Sequence, residues 1–428
     1  MSNSVLDVVV VGAGHAGLSA SYCLKKLGMS HFVFERGKIG ESWRSQRWDS
    51  FVLNTANAIN RLPGDFNTGS DPGKFSAIRE FLAALNDYVK KFALPVKENT
   101  EVISVEKTEG EQYFSITVSE KGIGRIYKST QIIICSGTQN AKKIPAFAEN
   151  LSPLILQLHA GEYRNAAQLR GGAVLVVGSG QSGTQIAEDL ADNGRKVYLS
   201  TSFVPRVPRR YRGKDIMDWL IAAKFFDVRK EDITDIKMLH MRAPLLTGVG
   251  DGSRTISLQS LAQKGIVLLG KMENAEDKNV FFQPDAAPHV QFADGFSKMV
   301  KGMIDEFIIK NQLDMPAAEE DIPDRPDVDL RCVSTVRSLD LIEQKISSII
   351  WTTGFGAGFN YIKLPVLDHE GNPEHQDGLS GTPGLYFLGL PWLRKRKSSL
   401  IYGIKEDAEF ITGKVYRHAQ QMQLFPAV

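Results

Sequence analysis

Two glycine-rich hexapeptides recur in this chain, Gly12-Ala13-Gly14-His15-Ala16-Gly17 and Gly178-Ser179-Gly180-Gln181-Ser182-Gly183. Glycines at that spacing let the backbone come close to a bulky anion. A helix opening within such a turn also offers a pyrophosphate unpaired N–H groups and positive potential. Glu35 follows Gly12 by 23 residues, the offset at which a carboxylate accepts from the ribose of a dinucleotide, and Arg36 stands beside it. The matching place in the second copy holds Ser200 and Thr201. A carboxylate there would repel a 2′-phosphate, so its replacement leans the second site toward NADPH, with NADH as the alternative. Downstream, the run from Pro205 to Arg212 adds positive charge, and Arg209 within it is a candidate phosphate contact through its planar guanidinium.

The elements that would position these groups are legible in the apolar pattern. Asp7 to Val11 reads as a buried strand, Leu18 to Leu27 as a helix and His31 to Phe34 as a second strand. Ala173 to Val177, Thr184 to Asp192 and Lys196 to Leu199 repeat that order. The duplication predicts an α/β fold with two Rossmann-like dinucleotide-binding domains: the first over 1–165 and 336–428, the second inserted over 166–335. Glu101 to Val105 and Tyr113 to Val118 alternate like antiparallel strands. Gln131 to Ile134, Ser348 to Trp351 and Leu385 to Leu388 read as buried strands that lead into glycines, where backbone approaches a ligand or another segment closely. Met315 to Arg331 is expected to be a solvated connection and Leu393 to Lys397 a solvated basic loop. A helix over Phe296 to Lys310 is expected to turn Met299, Met303, Phe307 and Ile308 to the core.

Composition narrows the function. With 51 Lys and Arg against 49 Asp and Glu in 428 residues, the chain is too balanced for nucleic acid or an anionic membrane as its main partner. No apolar run approaches the ~20 residues of a membrane span, and the short polar start lacks the features of a signal peptide, so a cytoplasmic protein is expected. Cys23, Cys135 and Cys332 are far apart and form no Cys-x-x-Cys pair, which argues against dithiol chemistry. The eight histidines are scattered without metal-ligand spacing, and no metal is expected.

Two unlike dinucleotide sites suggest a flavin and a nicotinamide cofactor and thus an electron-transfer enzyme. Together with Gly40-Glu41-Ser42-Trp43-Arg44 and Thr352-Thr353-Gly354, the two hexapeptides resemble class B flavin-dependent monooxygenases. That family includes flavin-containing monooxygenases, plant indole-pyruvate monooxygenases and Baeyer-Villiger enzymes; the likeness covers nearly the whole chain and is nearest to a bacterial branch of flavoproteins. It implies FAD on the first turn, with Ser42, Trp43 and Arg44 along the pyrophosphate and ring, and Val102 at the adenine through its backbone. It also implies Asn54 near the reactive flavin carbon, Gly137 and Gly354 in the strands that join the two domains, and Gly389 and Leu390 closing over the ring, with Gly403 nearby. His159 and Tyr163 fit the family signature, but Pro153 and Ile155 stand where phenylalanine and glycine are expected. Tyr163-Arg164 replaces the Trp-Pro of Baeyer-Villiger members, which favours oxygenation of a heteroatom or small carbonyl over ester formation.

In the reaction this resemblance implies, NAD(P)H reduces FAD, oxygen adds at flavin C(4a) to give a (hydro)peroxide, and one oxygen atom passes to a small organic substrate. The alternatives are an NAD(P)H oxidase or reductase that passes electrons to oxygen or a quinone, and a non-catalytic flavin redox sensor. The expected partners are a small molecule and O2, with a homodimer left open. Apolar residues of Tyr211 to Phe226 and Ile236 to Val249 are candidates to line the substrate pocket.

Overall fold

Four successive valines, Val8 to Val11, can bury side chains on both faces of a strand only at the centre of a parallel sheet covered on both sides. The computed structural model places them there, with Val8, Val9 and Val10 fully enclosed. The structure describes residues 5–65, 71–108, 110–233, 245–249, 254–356 and 358–424. Leu6–Val11 pairs in parallel with His31–Phe34 on one side and with Ile123–Ile134 on the other. Val96–Lys97 extends the sheet at one end, and Leu385–Phe387, from the far end of the sequence, joins beyond Ile123–Ile134, followed by the short antiparallel strands Leu379–Ser380 and His375–Gln376. The first half of Ile123–Ile134 pairs instead with Phe114–Glu120, and that strand with Thr100–Glu106, as an antiparallel branch. Helix His15–Lys26 packs against the C-terminal helix Ile404–Leu424.

The second sheet is wholly parallel, in the order Val267–Leu269, Val197–Ser200, Ala173–Val177, Ile346–Trp351, Leu156–His159. It recruits Leu156–His159 ahead of residue 166 and Ile346–Trp351 beyond residue 335, so it draws on more chain than the second half of the duplication. Pairing along Ser348 to Trp351 decides this, and no change of composition marks it. The two connections between the units lie side by side as a ribbon, Ala141–Lys142 antiparallel to Phe355–Gly356.

Several expectations change in three dimensions. Within Met315 to Arg331, mostly exposed, Asp324 is 5% exposed and ion-paired with buried Arg206 and, at 2.6 Å, with Lys301. Leu393 to Lys397 is not solvated. Arg394 lies 3.9 Å over the Phe410 ring and pairs with Asp407, while Lys397 reaches Asp227 at 2.5 Å and Glu406 at 2.9 Å. On helix Ala286–Lys310 the buried face carries Val300 and Ile304, and Met299 is 53% exposed. In the stretch Tyr211 to Phe226, Tyr211, Ile216, Met217, Trp219, Leu220 and Phe226 pack with Val207, Val300 and Ile304 as core rather than as an open lining. Of the second stretch expected to line a pocket, residues 236–244 lie outside the described residues. Among the described residues, no helix is long and apolar enough to cross a membrane.

Burial by itself would raise the Asp324 carboxyl, but Arg206, Lys301 and Ser297 outweigh it and hold its pKa below the ordinary 3.8. A carboxyl lowered on folding stabilises above its unfolded pKa, and that contribution is lost as pH falls through the folded value. Asp324→Asn is therefore expected to cost about 3 kcal/mol at neutral pH, and to lose less stability than the parent between pH 5 and about pH 3, both read from urea unfolding curves.

Candidate functional site

The first glycine turn is shaped by two contacts within the protein. Gly12 has φ +100°, and a β-carbon on it would lie 2.7 Å from the Cys135 carbonyl oxygen; one on Gly17 would lie 1.9 Å from the Gly12 oxygen. Gly14 has an ordinary φ of −78°, and a β-carbon there would meet nothing within 4 Å. Helix His15–Lys26 starts at this bare position without a capping side chain or an acid in its first turn, so its end N–H groups stay open to an anion.

Around this helix end the structure gathers most of the residues expected at the first site. Glu35 is buried and accepts from the Ala13 N–H at 2.8 Å and the Gly37 N–H at 3.1 Å. Burial pushes its pKa up, against the pull of those two bonds. Gly40 donates to the Ala13 carbonyl at 3.0 Å, which docks the short helix Glu41–Ser45, with Ser42, Trp43 and Arg44, beside the turn. Trp43 packs edge-on against Phe81, centroids 5.1 Å apart, under the guanidinium of Arg47, a neighbour that the sequence reading missed. Gly389, at φ +81°, sits where a β-carbon would lie 2.7 Å from Cβ of Ala16, and so brings buried Leu390 to the helix start. Val102 lies on the strand whose first residue, Thr100, donates to the Glu35 carbonyl at 2.8 Å. Arg36 and Arg44 remain exposed. Burial lowers the His15 pKa to about 4, so the ring is neutral, and its Nε2 is buried with no hydrogen-bond partner among the described residues. A vacant middle glycine, an uncapped helix and an orphaned ring nitrogen fit the pyrophosphate end of a dinucleotide.

The second turn repeats the build. Gly178 at φ +108° would place a β-carbon 2.7 Å from Thr352 Oγ1, and Gly183 one 2.0 Å from the Gly178 oxygen, while Gly180 at φ −68° again faces nothing within 4 Å. Helix Gln181–Asp192 is uncapped and has no acid in its first turn, where Ser182 is exposed. Gln181 turns aside: its amide donates to the Thr247 carbonyl at 3.0 Å and accepts from the Thr247 N–H at 3.2 Å.

The residues expected to receive a 2′-phosphate are engaged elsewhere. Ser200 Oγ donates to the Gly270 carbonyl at 3.0 Å, and Thr201 Oγ1 donates to the Leu269 carbonyl at 2.7 Å; both are buried. Ser202, which the sequence reading passed over, follows them and donates its N–H to Ser179 Oγ at 3.0 Å. Arg206 is held by Asp294 and Asp324, Arg212 by Asp305, and exposed Arg210 by the Gly213 carbonyl. Arg209 is 1% exposed and paired with Asp215, so it drops out as a phosphate contact; a buried guanidinium requires its own carboxylate and carbonyl partners.

Between the two turns lies the junction. His159 accepts from the Gly161 N–H through Nδ1 at 3.1 Å, which leaves Nε2 to donate to the Gly354 carbonyl at 2.9 Å. Burial lowers its pKa, so this neutral ring ties a strand end to the returning connection. Gly137 and Gly354, at φ +74° and +88°, flank that ribbon with open space around them. Asn54 lies in the loop before helix Ile78–Phe92. Its carbonyl accepts from Arg209 at 3.1 Å, and its side-chain amide has no hydrogen-bond partner among the described residues.

Comparison with known proteins places this geometry in context. A family profile described as pyridine nucleotide-disulphide oxidoreductase matches residues 9–239. The chain is 32% identical, over 97% of its length and 99% of the relative's, to an uncharacterized CzcO-like oxidoreductase of Geobacillus kaustophilus. A flavin-containing monooxygenase from Stenotrophomonas maltophilia shares the fold with a TM-score of 0.65 at 20% identity, covering 97% of this chain and 99% of that one. The ornithine N-hydroxylase of Kutzneria sp. 744, solved with reduced FAD, NADP+ and L-ornithine, has a TM-score of 0.63 at 17% identity over 97% and 100% of the two chains.

The two kinds of glycine separate by experiment. Gly14→Ala and Gly180→Ala are expected to change the melting point of the dinucleotide-free protein by no more than about 1 kcal/mol equivalent, while each weakens dinucleotide binding at its own turn. Gly12→Ala, strained at positive φ, is expected to lower the melting point itself. Thermal melts paired with binding titrations of each variant make the comparison.

Proposed function

The chain belongs to the pyridine nucleotide-disulphide oxidoreductase family, and from that premise we propose that it is an FAD-dependent NAD(P)H monooxygenase acting on a small organic substrate. The observation that carries this reading is the doubled glycine turn, bare in both copies at the middle residue, with buried Glu35 beside the first copy and Ser200 and Thr201 in the matching place of the second. That asymmetry suits FAD on the first turn and a nicotinamide dinucleotide on the second. The ornithine N-hydroxylase with the same fold carries FAD and NADP+, which supports the same pair here.

Disulphide chemistry finds no support in the cysteines. Burial pushes the thiols of Cys23 and Cys332 up to about 12 and that of buried Cys135 up as well, and a protonated thiol is a poor nucleophile.

Bound FAD would supply oxygen activation at its C(4a) position. The chain's part is to bind, orient and exclude water. With FAD on the first turn, Glu35 would accept from the ribose hydroxyls and the helix end beginning at His15 would hold the pyrophosphate. The Trp43 helix and the Gly389-Leu390 segment would flank it. The Asn54 amide, without a hydrogen-bond partner among the described residues, would be available to the ring. Neutral His15 adds no positive charge at the first turn.

The reading is tested by reducing the flavin-loaded protein anaerobically with NADPH or NADH and then mixing it rapidly with oxygen. The expected outcome is a spectrum that lingers between reduced and oxidised flavin and returns with little free peroxide once a substrate is present. Immediate return to oxidised flavin with one peroxide per NAD(P)H, whatever substrate is offered, would favour the oxidase reading. All four arginines of 205–212 are engaged within the protein, so NADPH and NADH are expected to have kcat/KM values within about tenfold of each other, measured as initial rates.

A further inference from the structure

Arg209 is the most enclosed cation at the junction of the two units, and its bonds do not all serve the unit it belongs to. It follows the strand Val197–Ser200 of the second sheet, and its guanidinium pairs with Asp215, which also caps helix Ile216–Ala222. Its Nη1 donates to the Gly248 carbonyl at 3.2 Å. Those partners lie in the second unit, and the buried Nε has no hydrogen-bond partner among the described residues. The same Nη1 also reaches the Asn54 carbonyl at 3.1 Å, and the guanidinium carbon lies 5.0 Å over the Phe75 ring, both in the first unit. The backbone is held as well: the Arg209 N–H donates to Thr255 Oγ1 at 2.7 Å, and that hydroxyl in turn donates to Asp321 at 2.5 Å.

The Asn54 loop has anchors of its own. Leu53 donates to the Ser76 carbonyl at 2.9 Å, and Thr55 Oγ1 donates to Asn60 Oδ1 at 2.6 Å. Asn54 itself sits between these anchors, and its side-chain amide has no hydrogen-bond partner among the described residues, so the backbone fixes the direction of its Cα–Cβ bond. Its backbone carbonyl accepts from Arg209.

We infer that Arg209 is a positioning residue: its buried guanidinium, anchored in the nicotinamide unit, holds the Asn54 carbonyl and thereby aims the Asn54 amide at the flavin ring. The inference rests on the reading that FAD occupies the first turn with its ring beside Asn54. A lysine at position 209 keeps a charge for Asp215 but lacks the fork that reaches several acceptors at once. A reacting group displaced by about 1 Å can lose up to about 10²-fold in rate.

The test compares Arg209→Lys, Asn54→Ala and the double variant in the FAD-loaded protein. Three quantities are read: the visible spectrum of oxidised flavin, the anaerobic rate of flavin reduction by NADPH, and the time the reduced protein takes to return to the oxidised spectrum after mixing with oxygen. Asn54→Ala is expected to shift the flavin spectrum and shorten that return. Arg209→Lys is expected to reproduce both changes with the reduction rate kept within about threefold, and the double variant to add nothing to Asn54→Ala, as coupled neighbours do. Hydrogen exchange of the peptide containing residues 53–57, in apoprotein, is expected to quicken in Arg209→Lys. Asp215→Asn, which can still cap its helix, is expected to give the same signature more weakly and replaces Arg209→Lys if that variant does not fold.

The inference is overturned if Arg209→Lys and Asp215→Asn leave the spectrum and the time of return to oxidised flavin at parental values while Asn54→Ala changes them. It is also overturned if the effects in the double variant simply add, or if Asn54→Ala leaves the flavin spectrum unchanged. Failure of the monooxygenase reading looks different: the reduced parent itself then returns to the oxidised spectrum at once on mixing with oxygen, and the shared spectral shift and quickened exchange still decide whether Arg209 positions Asn54.

Discussion

Helices His15–Lys26 and Gln181–Asp192 can start against the strands they follow only because the third glycine of each turn comes almost onto the carbonyl of the first. A β-carbon would sit 1.9 Å from that oxygen in one turn and 2.0 Å in the other. The first glycine is closed from its other side by a neighbouring segment, Cys135 in one unit and Thr352 in the other. With helix and strand held this near, the middle glycine is left looking into open space and the helix end remains uncapped. The site is thus a by-product of packing: the contacts that fix how the chain turns also leave a concave surface of N–H groups at the carboxyl end of a parallel sheet. The other residues of the first site, Glu35, the Trp43 helix and Gly389, are then brought in by bonds or contacts to Ala13 and Ala16.

Charge is used mostly to hold the inserted unit and its contacts. Arg206 reaches two aspartates, one of them on helix Ala286–Lys310 and the other on the segment that follows it. Arg394 and Lys397 join the C-terminal segment to Asp407, Glu406 and Asp227. Arg396 lies 4.1 Å over Phe225 while its N–H donates to the Val228 carbonyl at 3.0 Å. Single exposed pairs add little to stability, whereas buried pairs hold geometry because breaking one strands a charge. The arginines near the second turn are thus engaged within the protein, whereas Arg36 and Arg44 stay exposed beside the first.

The two sheets are linked more firmly than a pair of flexible connections would require. The ribbon of Ala141–Lys142 and Phe355–Gly356 carries both crossings, and His159 clamps the carbonyl of Gly354 from the end of a second-sheet strand. Ile59, Leu400 and Tyr402 from the first unit lie against the core cluster built on Trp219 and Ile304. Arg209 adds a polar link at the same junction. In an enzyme that moves electrons between two bound dinucleotides, such links restrict how the units shift while both cofactors stay in register.

Much of the architecture was legible in the residues because it rests on local chemistry. A run of valines, a glycine turn and an amphipathic helix specify one another over about 30 residues. Both copies were visible, and the strands Leu6–Val11, His31–Phe34, Ala173–Val177 and Val197–Ser200 lie within a residue of where the pattern puts them. Glu35 was legible for the same reason, since its offset from Gly12 is the length of one helix and one strand. What the tertiary structure decided are the partners of side chains and the membership of sheets, both set by segments remote in sequence. Arg206, Arg209 and Lys397 read as a basic surface until Asp294, Asp215 and Asp227 are seen beside them. Leu156–His159 and Ile346–Trp351 carry no local mark of which sheet they join, because a strand's own residues dictate that it pairs but not with whom. The inward turn of Ser200 and Thr201 depends on the neighbouring strand Val267–Leu269, more than 60 residues further along the chain.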